Sequence, residues 1–137
     1  MELVVDANIL LAGFMKAALT RELLLDGRLK LHAPEHLIYE CRKHLLSSSA
    51  FQRRTGLAPG QIDKIWFILT QNIKSHTQAV YQETYSTAIK IAPRPEDAPY
   101  IALALSMGIS IWSNDKGIKA QKQVKVLATH EVLSKLR

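Results

Sequence analysis

Short apolar runs alternate with longer stretches of helical periodicity from one end of the chain to the other. Leu3-Val4-Val5-Asp6 is β-branched and predicts a buried strand. Residues 7–26 follow as a helical stretch, with Asn8 able to cap it and Gly27 placed to stop it. Leu29–Ala33 predicts a second strand, and Pro34 suits the first turn of a helix running through Leu46. Ser47–Gly60 has the composition of a loop. Ile62, Ile65, Trp66, Leu69 and Ile73 then form an apolar stripe at helical spacing over Gln61–Ile73.

The second half keeps the alternation. A weak strand is expected within Lys74–Val80, and Tyr81, Tyr85, Ala88, Ile89 and Ala92 share one face of a helix over Tyr81–Ala92. Pro93-Arg94-Pro95 punctuates the chain before Asp97–Met107, which is apolar nearly all round and therefore reads as a buried helix. Ile109–Trp112 and Val124–Ala128 are strands, and Thr129 is placed to cap a last helix through Leu136. Strands alternating with helices imply parallel pairing, so the expected fold is a three-layer α/β/α sandwich around a mainly parallel sheet. No repeat or linker divides the 137 residues, a length that suits one domain, residues 1–137.

Composition narrows the classes. Hydrophobic residues make up 47% of the chain, which excludes a wholly disordered basic tail. No apolar run has the length to cross a bilayer, and acidic Glu2 and Asp6 ahead of the first long apolar run argue against a secretory signal. A single cysteine, Cys41, suits a reducing compartment, so the expected location is the cytoplasm. The net charge of +6 points weakly to a polyanionic partner. Its distribution says more: residues 1–40 carry net −2, while residues 41–60 and 101–137 each carry net +4. Arg42, Lys43, Arg53, Arg54 and, further on, Lys116 are thus candidates to hold a phosphate backbone.

In parallel sheets, ligands gather outside the carboxyl ends of the strands. Asp6 ends the first strand, and Asp115 follows Ile109–Trp112 across Ser113-Asn114. Asp97 starts the buried helix. Glu40 falls roughly 60° outside the apolar arc of its helix, at the border of the core. Carboxylates gathered beside an apolar core repel unless a cation neutralises them, and hard divalent ions do so with oxygen ligands. Helix capping by Asp6 and Asp115, and a dipole interaction for Asp97, stay open as other readings.

Other chemistries lack their residues. There is no His-Glu-x-x-His motif, Gly-rich phosphate loop or His placed to serve Ser113 as a base. His32, His36 and His44 read as surface or border residues, and Trp66 and Trp112 as core.

Four segments, in order, resemble the PIN domains: Leu3-Val4-Val5-Asp6-Ala7-Asn8; Leu37-Ile38-Tyr39-Glu40; Pro95-Glu96-Asp97-Ala98-Pro99-Tyr100-Ile101-Ala102-Leu103-Ala104-Leu105; and Ile111-Trp112-Ser113-Asn114-Asp115-Lys116. The likeness implies a ribonuclease acting on single-stranded RNA, with Asp6, Glu40, Asp97 and Asp115 holding one or two Mg²⁺ or Mn²⁺ ions. Asn8 and Ser113 would orient ligands or substrate from behind them. It also implies products with 5′-phosphate and 3′-hydroxyl ends, a homodimer through the apolar first and third helices, and a toxin role beside an antitoxin protein. Two features depart from the pattern or blur it: Gly117 stands where relatives often carry another acid, and Glu96 neighbours Asp97. A catalytically idle RNA-binding or protein-interaction module on the same fold is the alternative.

Overall fold

The computed structural model describes residues 1–15 and 18–137. Five strands, β1 (Glu2–Val5), β2 (Lys30–Pro34), β3 (Ile73–His76), β4 (Ser110–Trp112) and β5 (Val126–Leu127), form one sheet in the order β3-β2-β1-β4-β5. Every pairing is parallel; Val5 lies beside Trp112, and Val4 beside both His32 and Ile111. The expected α/β sandwich is therefore present, and its sheet is wholly parallel. Successive side chains point to opposite faces, so Leu3, Val5, Trp112 and Leu127 enter one buried cluster while Val4, Ile111 and Val126 enter the other.

The first cluster is covered by α1 (Ala7–Phe14), α2 (Ala18–Leu24), α5 (Pro59–Leu69) and α9 (Thr129–Leu136). The second is covered by α6 (Gln78–Ile91) and α7 (Ala98–Met107), with Ile118 of the short α8 (Lys116–Lys119). Helix α3 (Glu35–Ser47) contributes Leu45 to the first and half-buried Leu37 to the second. The helix expected over residues 7–26 is two helices, and its Lys16 and Ala17 lie outside the described residues. Gly13 lets α1 sit close to its neighbours: a Cβ there would meet Leu24 Cδ1 at 3.0 Å and Leu69 Cδ1 at 3.2 Å.

Four local readings are corrected. Asp6, not Asn8, caps α1, by accepting from Ile9 N–H at 3.0 Å. Ser47–Gly60 contains a helix, α4 (Ser49–Thr55), started by the Ser48 hydroxyl and ended by Gly56 at φ +69°. Ala128, rather than Thr129, precedes α9, and its N–H is accepted by Glu131 at 3.0 Å. The Thr129 hydroxyl instead receives Trp112 Nε1–H at 3.1 Å. Helix α5 ends at Leu69, and Ile73 opens β3.

Trp66 and Trp112 are core, as expected, whereas His32 is buried rather than a border residue. His32 shares a hydrogen bond with His76 at 2.9 Å and another with Glu2 at 3.1 Å, across three neighbouring strands. Burial, His32 and Lys74 hold the His76 pKa below its usual value. The unfolded chain then binds the proton more readily, so stability is lost as pH falls through the unfolded value of about 6.5. We expect the urea midpoint to drop between pH 7 and pH 5, with a smaller drop in His76→Gln. An equal drop in that variant would place the effect elsewhere.

No described helix is long and apolar enough to cross a membrane. Of the two helices expected to leave apolar surface, α5 exposes Phe67 and Ile68, and the stretch over residues 7–26 exposes Leu19 and Leu25 to a smaller extent.

Candidate metal centre

The sheet order reverses between β1 and β4, so the chain leaves their adjacent carboxyl ends in opposite directions. Asp6 and Asp115 stand beyond those two ends, and Asp6 N–H donates to the Trp112 carbonyl at 3.4 Å. Asp97 closes a 3₁₀ turn, Pro95–Asp97, that leads into α7. The three aspartates line one cleft of about 240 Å³ with Asn8, Arg94 and Tyr100.

Asp6 is only 6% exposed. Its two oxygens have separate partners: Oδ1 accepts from Ile9 N–H, and Oδ2 accepts from the Ser113 hydroxyl, itself 1% exposed. Burial pushes the Asp6 carboxyl above its usual range; the Ser113 and Ile9 hydrogen bonds pull it down, and Asp115 and Asp97 push it up again. The buried group is thus a carboxylate short of positive charge. Ser113 Oγ also accepts from Asp115 N–H at 3.0 Å, so one hydroxyl ties the ends of β1 and β4 together. Asp115 caps α8, its Oδ1 accepting from Gly117 N–H at 2.7 Å. Capping and cleft lining are therefore compatible roles for the same two aspartates.

Asp97 is buried and Glu96 exposed, which separates the two neighbours: Asp97 faces the other aspartates, and Glu96 stands at the rim. Tyr100, within α7, accepts from Ala7 N–H at 3.1 Å and fixes the start of α1. Glu40 is exposed on α3 rather than at the border of the core, because Leu37, Ile38, Cys41 and Leu45 fill the inward arc. Leu37 lines the cleft; Glu40, three residues further on, does not. Burial pushes the Cys41 thiol up to about 11, so it stays protonated at neutral pH.

Arg94 is the cleft residue that sequence reasoning missed. Its guanidinium reaches Asp97 Oδ2 through Nε at 3.3 Å and Asp97 Oδ1 through Nη2 at 3.4 Å, and Nη2 also pairs with Asp115. Among the described residues, no three His, Cys, Asp or Glu side chains stand arranged to hold a metal ion. In chemistry, though not in arrangement, the cleft's acids are the all-oxygen donors a hard cation takes, with a guanidinium standing as counter-charge on two of the three.

A second hollow, of about 590 Å³, meets the cleft at Asn8. Leu45 and Phe51 give it an apolar lining, and His44 and Arg54 add polar groups. Arg53 and Arg54 are exposed, as are Lys43 and Lys116, whereas Arg42 is paired with Asp63 at 2.8 Å.

No curated protein matches the chain. The family described as PIN domain does match, over residues 4–137. With that match spanning nearly all of its length, the chain belongs to the PIN-domain family.

Proposed function

We propose that the protein is a divalent-metal-dependent endoribonuclease that hydrolyses single-stranded RNA at the cleft of Asp6, Asp97 and Asp115. PIN domains are generally nucleases, and they usually use divalent metal ions. The observation that carries the finer reading is the buried, under-compensated Asp6 carboxylate facing two further aspartates at the sheet's reversal point.

In this reading Asp6, Asp97 and Asp115 hold the ion, which is Mg²⁺ or Mn²⁺ by its all-oxygen donors. Such an ion supplies Lewis acidity toward a phosphoryl oxygen and activates water for in-line attack at phosphorus. The protein's own groups prepare that site. Ser113 holds Oδ2 of Asp6 while α1 holds Oδ1, so the carboxylate presents a fixed edge to the cleft. Tyr100 fixes the first turn of α1, and with it Asn8, at the cleft mouth. Glu40 is the proposed fourth acid: it is exposed and makes no hydrogen bond or ion pair among the described residues.

The flanking nucleotides run from the cleft past Asn8 into the hollow lined by Phe51 and Arg54. Arg53, Arg54, Lys43 and Lys116 are the cations for the phosphates, while Arg42 has a carboxylate partner to leave first. Arg53→Gln with Arg54→Gln is expected to weaken RNA binding and to reduce its log–log salt slope by about 1.4. An unchanged slope would remove these residues from the RNA path. The toxin role with an antitoxin partner, and a homodimer over the Phe67 and Ile68 face of α5, are finer parts of the same proposal.

The test is cleavage of defined single-stranded RNA by the purified chain with Mn²⁺, with EDTA, and with Mn²⁺ restored. Activity in EDTA would overturn the reading. The second reading, an idle RNA-binding module, is favoured by one observation, the Arg94 bridge across Asp97 and Asp115. Its signature is salt-sensitive RNA binding without metal uptake or cleavage.

A further inference from the structure

We propose that Arg94 is the centre's second cation, so that the site works with one divalent ion and not two. The inference rests on the nuclease reading and concerns what shares the cleft with the ion.

Two-ion sites depend on carboxylates that bridge both metals. In this cleft, Asp97 and Asp115 are already bridged, by one guanidinium. Arg94 binds Asp97 through two nitrogens and Asp115 through Nη2, so its planar fork spans both carboxylates. None of its hydrogen bonds goes to Asp6, which is buried and held by Ile9 N–H and the Ser113 hydroxyl instead. The divalent ion and the guanidinium therefore have distinct claims on the cluster.

The surroundings of Asp115 support this division. Gly117 offers no side chain as a ligand, and its N–H takes Asp115 Oδ1. A Cβ built on Gly117 would lie 3.0 Å from that same oxygen and 4.0 Å from Arg94 Nη2. The space a side chain at 117 would enter is thus bounded by Asp115 and the guanidinium. Arg94 is also accessible, its side chain 49% exposed. A guanidinium with one edge on the acids and another toward solvent is suited to hold a phosphoryl oxygen of the substrate, the task a second ion performs elsewhere.

Calorimetric titration of the full chain with Mn²⁺, run beside Mn²⁺-dependent cleavage, tests the assignment. The wild type is expected to bind one Mn²⁺ per chain, with a hyperbolic dependence of cleavage on Mn²⁺. Removing the neighbouring positive charge in Arg94→Gln should tighten the first ion at least about tenfold. It should also admit a second, weaker ion and make cleavage sigmoidal in Mn²⁺. Arg94→Lys keeps a positive charge and should restore single-ion behaviour, which a merely structural role for the side chain does not predict. Two ions bound by the wild type would overturn the proposal without any variant. So would an Arg94→Gln protein that titrates as the wild type does. One ion bound, with the Arg94 effect but without RNA cleavage, would sink the nuclease reading and leave the charge assignment standing; no ion bound would sink both.

Discussion

Asp6→Asn is expected to lower Mn²⁺-dependent RNA cleavage on the order of 10³-fold, the scale of losing a preorganised charge at a reacting centre. The fold should survive. Asp6 is buried and under-compensated, so its replacement by a neutral amide removes an electrostatic cost from the metal-free protein. The amide oxygen can still accept from Ile9 N–H, and the amide nitrogen can donate to Ser113 Oγ. Melting curves separate the two effects: Mn²⁺ should raise the wild-type Tm by mass action and leave that of Asp6→Asn unmoved. A variant that cuts within tenfold of the wild type would remove Asp6 from the chemistry.

Trp112→Ala carries the largest expected loss of stability, about 3–5 kcal/mol from lost burial and an unfilled cavity. Trp112 is fully buried on β4, beside the central strand β1, and its indole N–H is the donor to the Thr129 hydroxyl. A loss of that size is a large fraction of the roughly 5–15 kcal/mol that holds a domain together. It should lower Tm by on the order of 10–20 °C. The residue lies immediately before Ser113, and its carbonyl accepts from Asp6 N–H, so metal affinity should fall with stability. Thermal melts with and without Mn²⁺ measure both. A shift below a few degrees would mean that the α9 side of the core repacks around the gap.

The fold was legible wherever a strand, a turn residue and a periodic helix followed one another. β1 and β4 are short, apolar and closed by polar residues, and placing them in parallel put Asp6 and Asp115 at the same edge. Asp97 was legible for another reason: it precedes a helix apolar on every side, which had to be buried. Helix α4 escaped because a seven-residue helix between a serine run and a glycine carries no periodicity to recognise. The split between α1 and α2 escaped because no proline or glycine stands between Phe14 and Ala18 to mark it. The exposure of Glu40 was not legible, because an angle measured on one helix does not say what packs against that edge. Arg94 stands three residues before Asp97, a spacing that fits an ion pair, but its bridging role could not be found that way. Its partner Asp115 is 21 residues away, and only the closing of the sheet brings the two together.

The central claim is that water, activated at the aspartate cleft, attacks phosphorus directly. The measurement closest to it is the fate of oxygen-18 water during Mn²⁺-dependent cleavage of a defined single-stranded RNA, read by mass spectrometry of the new ends. The account predicts the label on a 5′-phosphate opposite an unlabelled 3′-hydroxyl. Unlabelled 2′,3′-cyclic phosphate ends, formed as well in EDTA as in Mn²⁺, would show attack by the RNA's own hydroxyl and contradict it.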